Sequence, residues 1–180
     1  ELLHNIIDYE FEGKVFPVNP TKSVIHSIKC YSTILDVPDS VDLAVIVVPK
    51  ELVLGTVEQC GEKGVKGLVM ITAGFKEQGR AGAELELQVA ALVKRYGMRM
   101  IGPNCFGIIN ADPAVHLDAT FSKIRPSFGK IGLISQSGAL GEAILAPENE
   151  RTLLRGNGGI PMVAVAITPQ PGSNHVSIAD

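Results

Sequence analysis

Residues 43–48 read Leu43-Ala44-Val45-Ile46-Val47-Val48 and stop at Pro49. A run that is β-branched and apolar on both faces suits a strand covered on both sides of a parallel sheet. Working outward, Glu51–Glu62 carries Val53, Val57 and Cys60 on one helical face, and Gly61 and Gly64 end it. Leu68–Thr72 (LVMIT) is the next strand. A helix follows over Ala81–Tyr96, with Leu85, Val89, Leu92, Val93 and Tyr96 as its apolar stripe and Gly97 as its stop. Met98–Ile101 is a further strand, ended by Gly102-Pro103. On the other side, Lys14–Val18 reads as a short strand. Residues 1–11 place Leu2, Leu3, Ile6, Ile7 and Phe11 at helical spacing. This β-α-β-α-β order requires right-handed crossovers and a doubly wound, Rossmann-like parallel sheet. Residues 1–11 would be a crossover helix, with a strand expected upstream of residue 1.

A second segment starts near residue 125. Arg125–Gly129 reads as a linker, Lys130–Ser135 as a strand and Gly138–Leu145 as a helix that Pro147 ends. Arg155–Gly159 is glycine-rich, and Pro161–Ile167 is another buried strand. The expected organisation is a Rossmann-like domain over residues 1–124 and the start of a flavodoxin-like α/β domain over 130–180.

The 180 residues carry a net charge of −3 and are 46% hydrophobic, which suits a buried core and lacks the basic face of a nucleic-acid binder. No apolar run reaches about 18 residues, so no membrane span is expected. Cys30, Cys60 and Cys105 lie far apart, without zinc spacing or a disulfide framework, which points to a reducing, cytoplasmic setting. His4, His26, His116 and His175 show no metal-ligand spacing, and no metal site is expected.

Ligands of open parallel sheets bind beyond the carboxyl ends of the strands, which selects five loops. In Val18-Asn19-Pro20-Thr21-Lys22, Lys22 is either a phosphate contact or a solvated lysine. In Val48-Pro49-Lys50, Pro49 can simply stop the strand. Ile71-Thr72-Ala73-Gly74-Phe75 is a small-residue turn that a ligand could approach closely, or an ordinary strand–helix turn. Gly102-Pro103-Asn104-Cys105-Phe106-Gly107 holds a thiol, but no histidine or acid lies near in sequence to activate it. Ser135-Gln136-Ser137-Gly138-Ala139-Leu140 opens a helix whose N-terminus favours an anion, and Ser137 is an N-cap or a phosphate contact. A serine nucleophile would need the Gly-x-Ser-x-Gly elbow, which is absent, and no complete P-loop is present.

The stretches VFPVNPTK, DLAVIVVPKELV, GVKGLVMITAGF, YGMRMIGPNCFGIIN and GKIGLISQSGALG resemble, in order, the α-type part of NDP-forming acyl-CoA synthetases. That family includes ADP-forming acetyl-CoA synthetase and the succinyl-CoA synthetase α subunit. The resemblance covers about residues 1–145. ITAGF and SQSGALG point to the acetyl-CoA branch. It implies that Asn19, Pro20 and Lys22 lie along the nucleotide of coenzyme A. Val48, Pro49, Ile71, Thr72 and Ala73 would line its path, and Asn104 and Cys105 would sit near the thiol. Ser135, Ser137, Gly138 and Ala139 would face the active-site phosphate. The implied reaction interconverts acyl-CoA, ADP and phosphate with carboxylate, coenzyme A and ATP, through an acyl phosphate and a phosphohistidine. ATP or ADP and Mg2+ would bind outside this segment, on an ATP-grasp subunit or domain, in an oligomer. The family's glycine-rich coenzyme A loop would precede residue 1 and its histidine would follow Asp180. None of the four histidines matches it, so the segment alone is expected not to catalyse the full reaction. Ala146–Gly158 departs from the family pattern. An alternative is a coenzyme A-binding regulatory module fused to a protein N-acetyltransferase. More distant is an NAD-dependent dehydrogenase, for which the glycine fingerprint and its acidic partner are absent.

Overall fold

The computed structural model describes residues 1–126, 128, 131–135, 137–145 and 162–166. They divide into two units: Val15–Cys105, and Glu1–Lys14 together with the described residues from Phe106 onward.

In the unit Val15–Cys105, β1 (Val24–Ile25) and β2 (Ile28–Lys29) form a small antiparallel hairpin. β3 (Leu43–Ile46), β4 (Gly67–Met70) and β5 (Arg99–Ile101) form a parallel sheet in that order. Leu43 pairs with Gly67 and Ile46 with Met70, while Gly67 pairs with Arg99. The connections are α2 (Val53–Lys63) and α3 (Arg80–Arg95). Val53, Val57 and Cys60 of α2 and Val89 and Val93 of α3 meet Ile46, Leu68, Met70 and Phe75 in one apolar core. The apolar runs that predicted a parallel sheet are thus the strands that form one.

The differences in detail have local causes. β3 ends at Ile46 although the apolar run continues to Val48, whose carbonyl accepts the Thr72 hydroxyl at 2.7 Å. A 3-10 turn over Lys50–Leu52 precedes α2, which therefore starts at Val53 rather than Glu51. Gly61 lies inside α2 instead of ending it. A Cβ there would fall 2.3 Å from the Tyr96 ring, so the glycine allows α2 and α3 to pack closely. The helix stops at Gly64, whose left-handed φ of +81° lets the Gly64 and Val65 amides reach the Gly61 and Cys60 carbonyls. Lys14–Val18 does not form the expected strand: Val18 alone bridges, in parallel, to Tyr31. Pro17 and Pro20 have no amide to give a ladder. The bonds that remain run from Tyr31 N–H to the Pro17 carbonyl and from Asn19 N–H to the Tyr31 carbonyl.

In the other unit, α1 (Leu2–Asp8) is followed by β6 (Gly107–Asn110), β7 (Leu117–Thr120), β8 (Ile131–Ser135), α4 (Gly138–Leu145) and β9 (Met162–Ala166). The sheet order is β7-β6-β9-β8, with β6 antiparallel to both neighbours and β8 parallel to β9. α1, expected as a crossover helix, lies against β7: Asn5 Nδ2 donates to the Thr120 and Ser122 carbonyls at 2.8 and 2.7 Å. β6 and β7 had no counterpart in the sequence reading. The expected features at Pro147, Arg155–Gly159 and His175 lie outside the described residues.

Candidate coenzyme-binding edge and serine turn

Three of the selected loops meet at the carboxyl edge of the β3–β5 sheet. The Thr72 hydroxyl donates to the Val48 carbonyl, and the Asn104 amide donates to the Thr72 carbonyl at 3.0 Å. One threonine therefore ties the loops after β3, β4 and β5 into a continuous edge. Ile71 is buried and backs it, while Pro49 and Ala73 are exposed. Gly102–Pro103 is a cis peptide, and Asn104 has a φ of +54°.

Cys105, expected near a thiol ligand, turns inward. It is 5% exposed, and its Sγ donates to the Met70 carbonyl at 3.3 Å. Its amide also donates to the Met70 carbonyl, at 3.4 Å, so thiol and backbone together anchor the loop to β4. Cys60, in the core, has its thiol pushed up to about 11 by burial, which removes the thiolate that nucleophilic chemistry needs.

The Asn19–Lys22 loop belongs to the same unit and is organised by Asn19 itself. Its Oδ1 accepts from Thr21 N and Oγ1, both at 3.0 Å, and from Lys22 N at 3.2 Å. This is the side-chain turn that asparagine makes readily. The asparagine acceptor is thus used to shape the turn that carries the exposed Lys22 and Pro20.

The serine turn lies in the other unit. Ser137 Oγ accepts from the Leu140 amide at 3.3 Å, three residues into α4, which is the N-cap role. The buried Ser135 Oγ accepts from Ser137 N at 3.2 Å and donates to the Ser137 carbonyl at 2.9 Å. Gly138 is buried and packs against Phe106, while Ala139 is exposed. The Ser135 hydroxyl is therefore committed to holding the turn, whereas Ser137 Oγ serves there as an acceptor, and the helix N-terminus they frame is formed.

Sequence reasoning passed over two side chains at the first edge. Lys50 lays its stem across Gly74, with Cδ 2.8 Å from where a Cβ would stand on that residue. Glu77 accepts the Gly74 amide. Lys50 falls within a selected loop and a matching stretch but was given no role there, and Glu77 belongs to no quoted stretch; Lys50 reaches Gly74 only when the β3 and β4 loops come together. Among the described residues, no group of three or more His, Cys, Asp or Glu could hold a metal ion. No helix among them is long and apolar enough to cross a membrane.

Comparison with known proteins agrees with this architecture. The chain is 52% identical over 136 residues to an acetate–CoA ligase [ADP-forming] of Methanocaldococcus jannaschii. It is 47% identical over 135 residues to a 4-hydroxybutyrate–CoA ligase [ADP-forming] of Nitrosopumilus maritimus. These alignments cover 76% and 75% of the chain, but the chain spans 19% of the length of each relative. Among solved structures, a dinucleotide forming acetyl-coenzyme A synthetase 1 of Ca. Korarchaeum cryptofilum, in complex with phosphate and ADP, matches with a TM-score of 0.81. It is 43% identical and covers 93% of this chain and 34% of that one. Residues 2–111 match the CoA binding domain family, and the chain belongs to that family.

Proposed function

We propose that the chain is the coenzyme A-binding part of an ADP-forming acyl-CoA ligase of the acetyl-CoA type. The observation that carries this reading is the Val48–Thr72–Asn104 hydrogen-bonded edge, in a chain whose family is defined by coenzyme A binding. The residues present fit that ligand. Lys22 offers a cation on a preformed turn for a phosphate. Val18 and Val47 are 44% and 53% exposed beside the loops, apolar surface that an adenine or pantetheine arm would cover. Val48, Pro49, Thr72 and Ala73 line the path, with Ile71 behind them. Asn104 closes the far end, where Cys105 anchors the loop to β4. Asn19 acts on the turn, and Pro20 stiffens it.

Residues 1–124 form the coenzyme A-binding domain in this reading, and 130–180 open a succinyl-CoA synthetase-like domain. There, Ser135, Ser137, Gly138 and Ala139 present the N-terminus of α4 to a phosphate. Coenzyme A supplies the thiol that takes the acyl group from an acyl phosphate of a small carboxylic acid. ATP or ADP, Mg2+, the phosphorylated histidine and the ATP-grasp partner belong to the longer, oligomeric, cytoplasmic enzyme.

Calorimetric titration with coenzyme A and with NAD tests the reading. Coenzyme A is expected to bind, and Lys22→Ala to weaken binding by about 1.5–3 kcal/mol, as for loss of a charged hydrogen bond. Clear NAD binding with no coenzyme A binding would sink the reading. Unchanged affinity in Lys22→Ala would remove that lysine from the site.

A further inference from the structure

Glu77 lies in the single 3-10 turn, Lys76–Gln78, between the β4 loop and α3. Its Oε1 accepts the Gly74 amide. Its other oxygen, Oε2, is buried and has no hydrogen-bond partner. A buried carboxylate oxygen without a donor is costly, so packing alone does not favour glutamate here. What the position gains is control of one amide.

That amide belongs to the residue on which two loops converge. Gly74 has a φ of +107°, a conformation that glycine adopts easily and other residues rarely do. Lys50, from the loop after β3, lies across its α-carbon, and Glu77 holds its N–H. Gly82, at the start of α3, packs so tightly on the Phe75 carbonyl that a Cβ would fall 1.8 Å away, which fixes the turn from the helix side. Two residues before Gly74 is Thr72, the threonine that ties the three loops together. The segment Thr72–Phe75 is therefore pinned at Thr72 by its hydroxyl and carbonyl, at Gly74 by Glu77, and at Phe75 by α3.

We infer that Glu77 is a positioning residue for the coenzyme A edge: its carboxylate holds the Gly74 amide and thereby sets the course of the Ala73–Gly74 backbone that the ligand meets. The inference rests on the proposed coenzyme A reading. Glu77 does its work as an acceptor, so glutamine should replace it and alanine should not.

Hydrogen exchange at the Gly74 amide and calorimetry with coenzyme A, on the wild type, Glu77→Ala and Glu77→Gln, test this at a temperature where all three are folded. Exchange at Gly74 should speed up about tenfold or more in Glu77→Ala, and affinity should fall about tenfold, the scale of one lost charged hydrogen bond. Glu77→Gln should recover both to within about threefold, since an amide oxygen still accepts. A purely structural glutamate would lower thermal stability in Glu77→Ala while leaving the affinity of the folded protein unchanged, and that result would overturn the inference. So would unchanged Gly74 exchange, or a glutamine variant as weak as alanine. Absence of coenzyme A binding in the wild type would instead overturn the functional reading on which the inference rests.

Discussion

The two sheets bury different chemistry. Around β3–β5 the core is Val, Leu, Ile, Met and Phe, supplemented by the Cys60 thiol. The buried polar side chains among the described residues, Asn5, Asp118, Thr120, Ser122 and Ser135, all belong to the unit of β6–β9. There the polar groups form a ladder along the chain. Asp118 Oδ1 accepts from Thr120 N and Oγ1, Thr120 Oγ1 accepts from Ser122 N, and Ser122 Oγ accepts from Ile124 N. Asn5 then fastens α1 to the backbone of the same segment. Apolar burial is non-directional and sensitive to volume, whereas a polar ladder is directional and sensitive to the loss of any one partner. The first kind of core leaves its strand-end loops to be shaped by a few hydrogen bonds. The second spends its hydrogen bonds on the interior.

The largest effect expected from breaking this contrast is at Phe75, the largest fully buried side chain of the apolar core, at 0% exposure. Phe75→Ala should cost about 3–5 kcal/mol through lost transfer energy and a cavity. Chemical denaturation measures it, and a loss below about 1 kcal/mol would mean that the core collapses around the gap. Because Phe75 also anchors the turn beside Gly74, coenzyme A affinity should fall in the same variant.

Asn5→Ala is the matching test of the polar unit. It removes no large volume but leaves the Thr120 and Ser122 carbonyls without their donor. The expected loss is about 1–3 kcal/mol, read by the same denaturation. An effect near zero would show that water replaces the amide and that α1 is held by its apolar face, Leu2 and Ile6, alone.

This contrast also explains what could be read from the sequence. Leu43–Val48 and Leu68–Thr72 announced themselves because strands covered on both faces are continuous apolar runs, and α3 because sixteen residues give a helical stripe room to repeat. β7 is Leu117-Asp118-Ala119-Thr120, in which two polar side chains face the interior and mimic a loop. The β1–β2 hairpin turns at His26 and Ser27, both at positive φ, without the Asn-Gly that normally marks such a turn. At the candidate edge, the loops were legible because strand ends are legible. The work of Thr72 and Asn19 as organisers was not, because hydrogen bonds from side chains to distant or local backbone leave no periodic trace. The part played by Lys50 and Glu77 was equally hidden: each matters through Gly74, on a loop 24 residues from one and three from the other.

The smallest effect, and the one most specific to the polar interior, concerns Asp118, which is 1% exposed. Burial raises its pKa above the ordinary carboxylate value, while the bonds from Thr120 and the nearby Arg125 pull it partly back. Tyr9, also raised chiefly by burial and then by Asp118, faces the same cluster. A carboxyl whose pKa is raised on folding binds a proton more tightly in the folded than in the unfolded chain. Its contribution to stability is therefore fully present below the unfolded value of 3.8 and is lost as pH rises through the folded one. Asp118→Asn keeps the acceptor that Thr120 uses and removes the titration. The stability of the variant relative to wild type should accordingly climb as pH rises above 3.8 and level off once pH exceeds the folded pKa, as followed by denaturation midpoints. A gap that stays constant with pH would mean that Asp118 ionises as easily in the folded protein as in the unfolded chain. The interior of the β6–β9 unit would then be wetter than its buried side chains indicate.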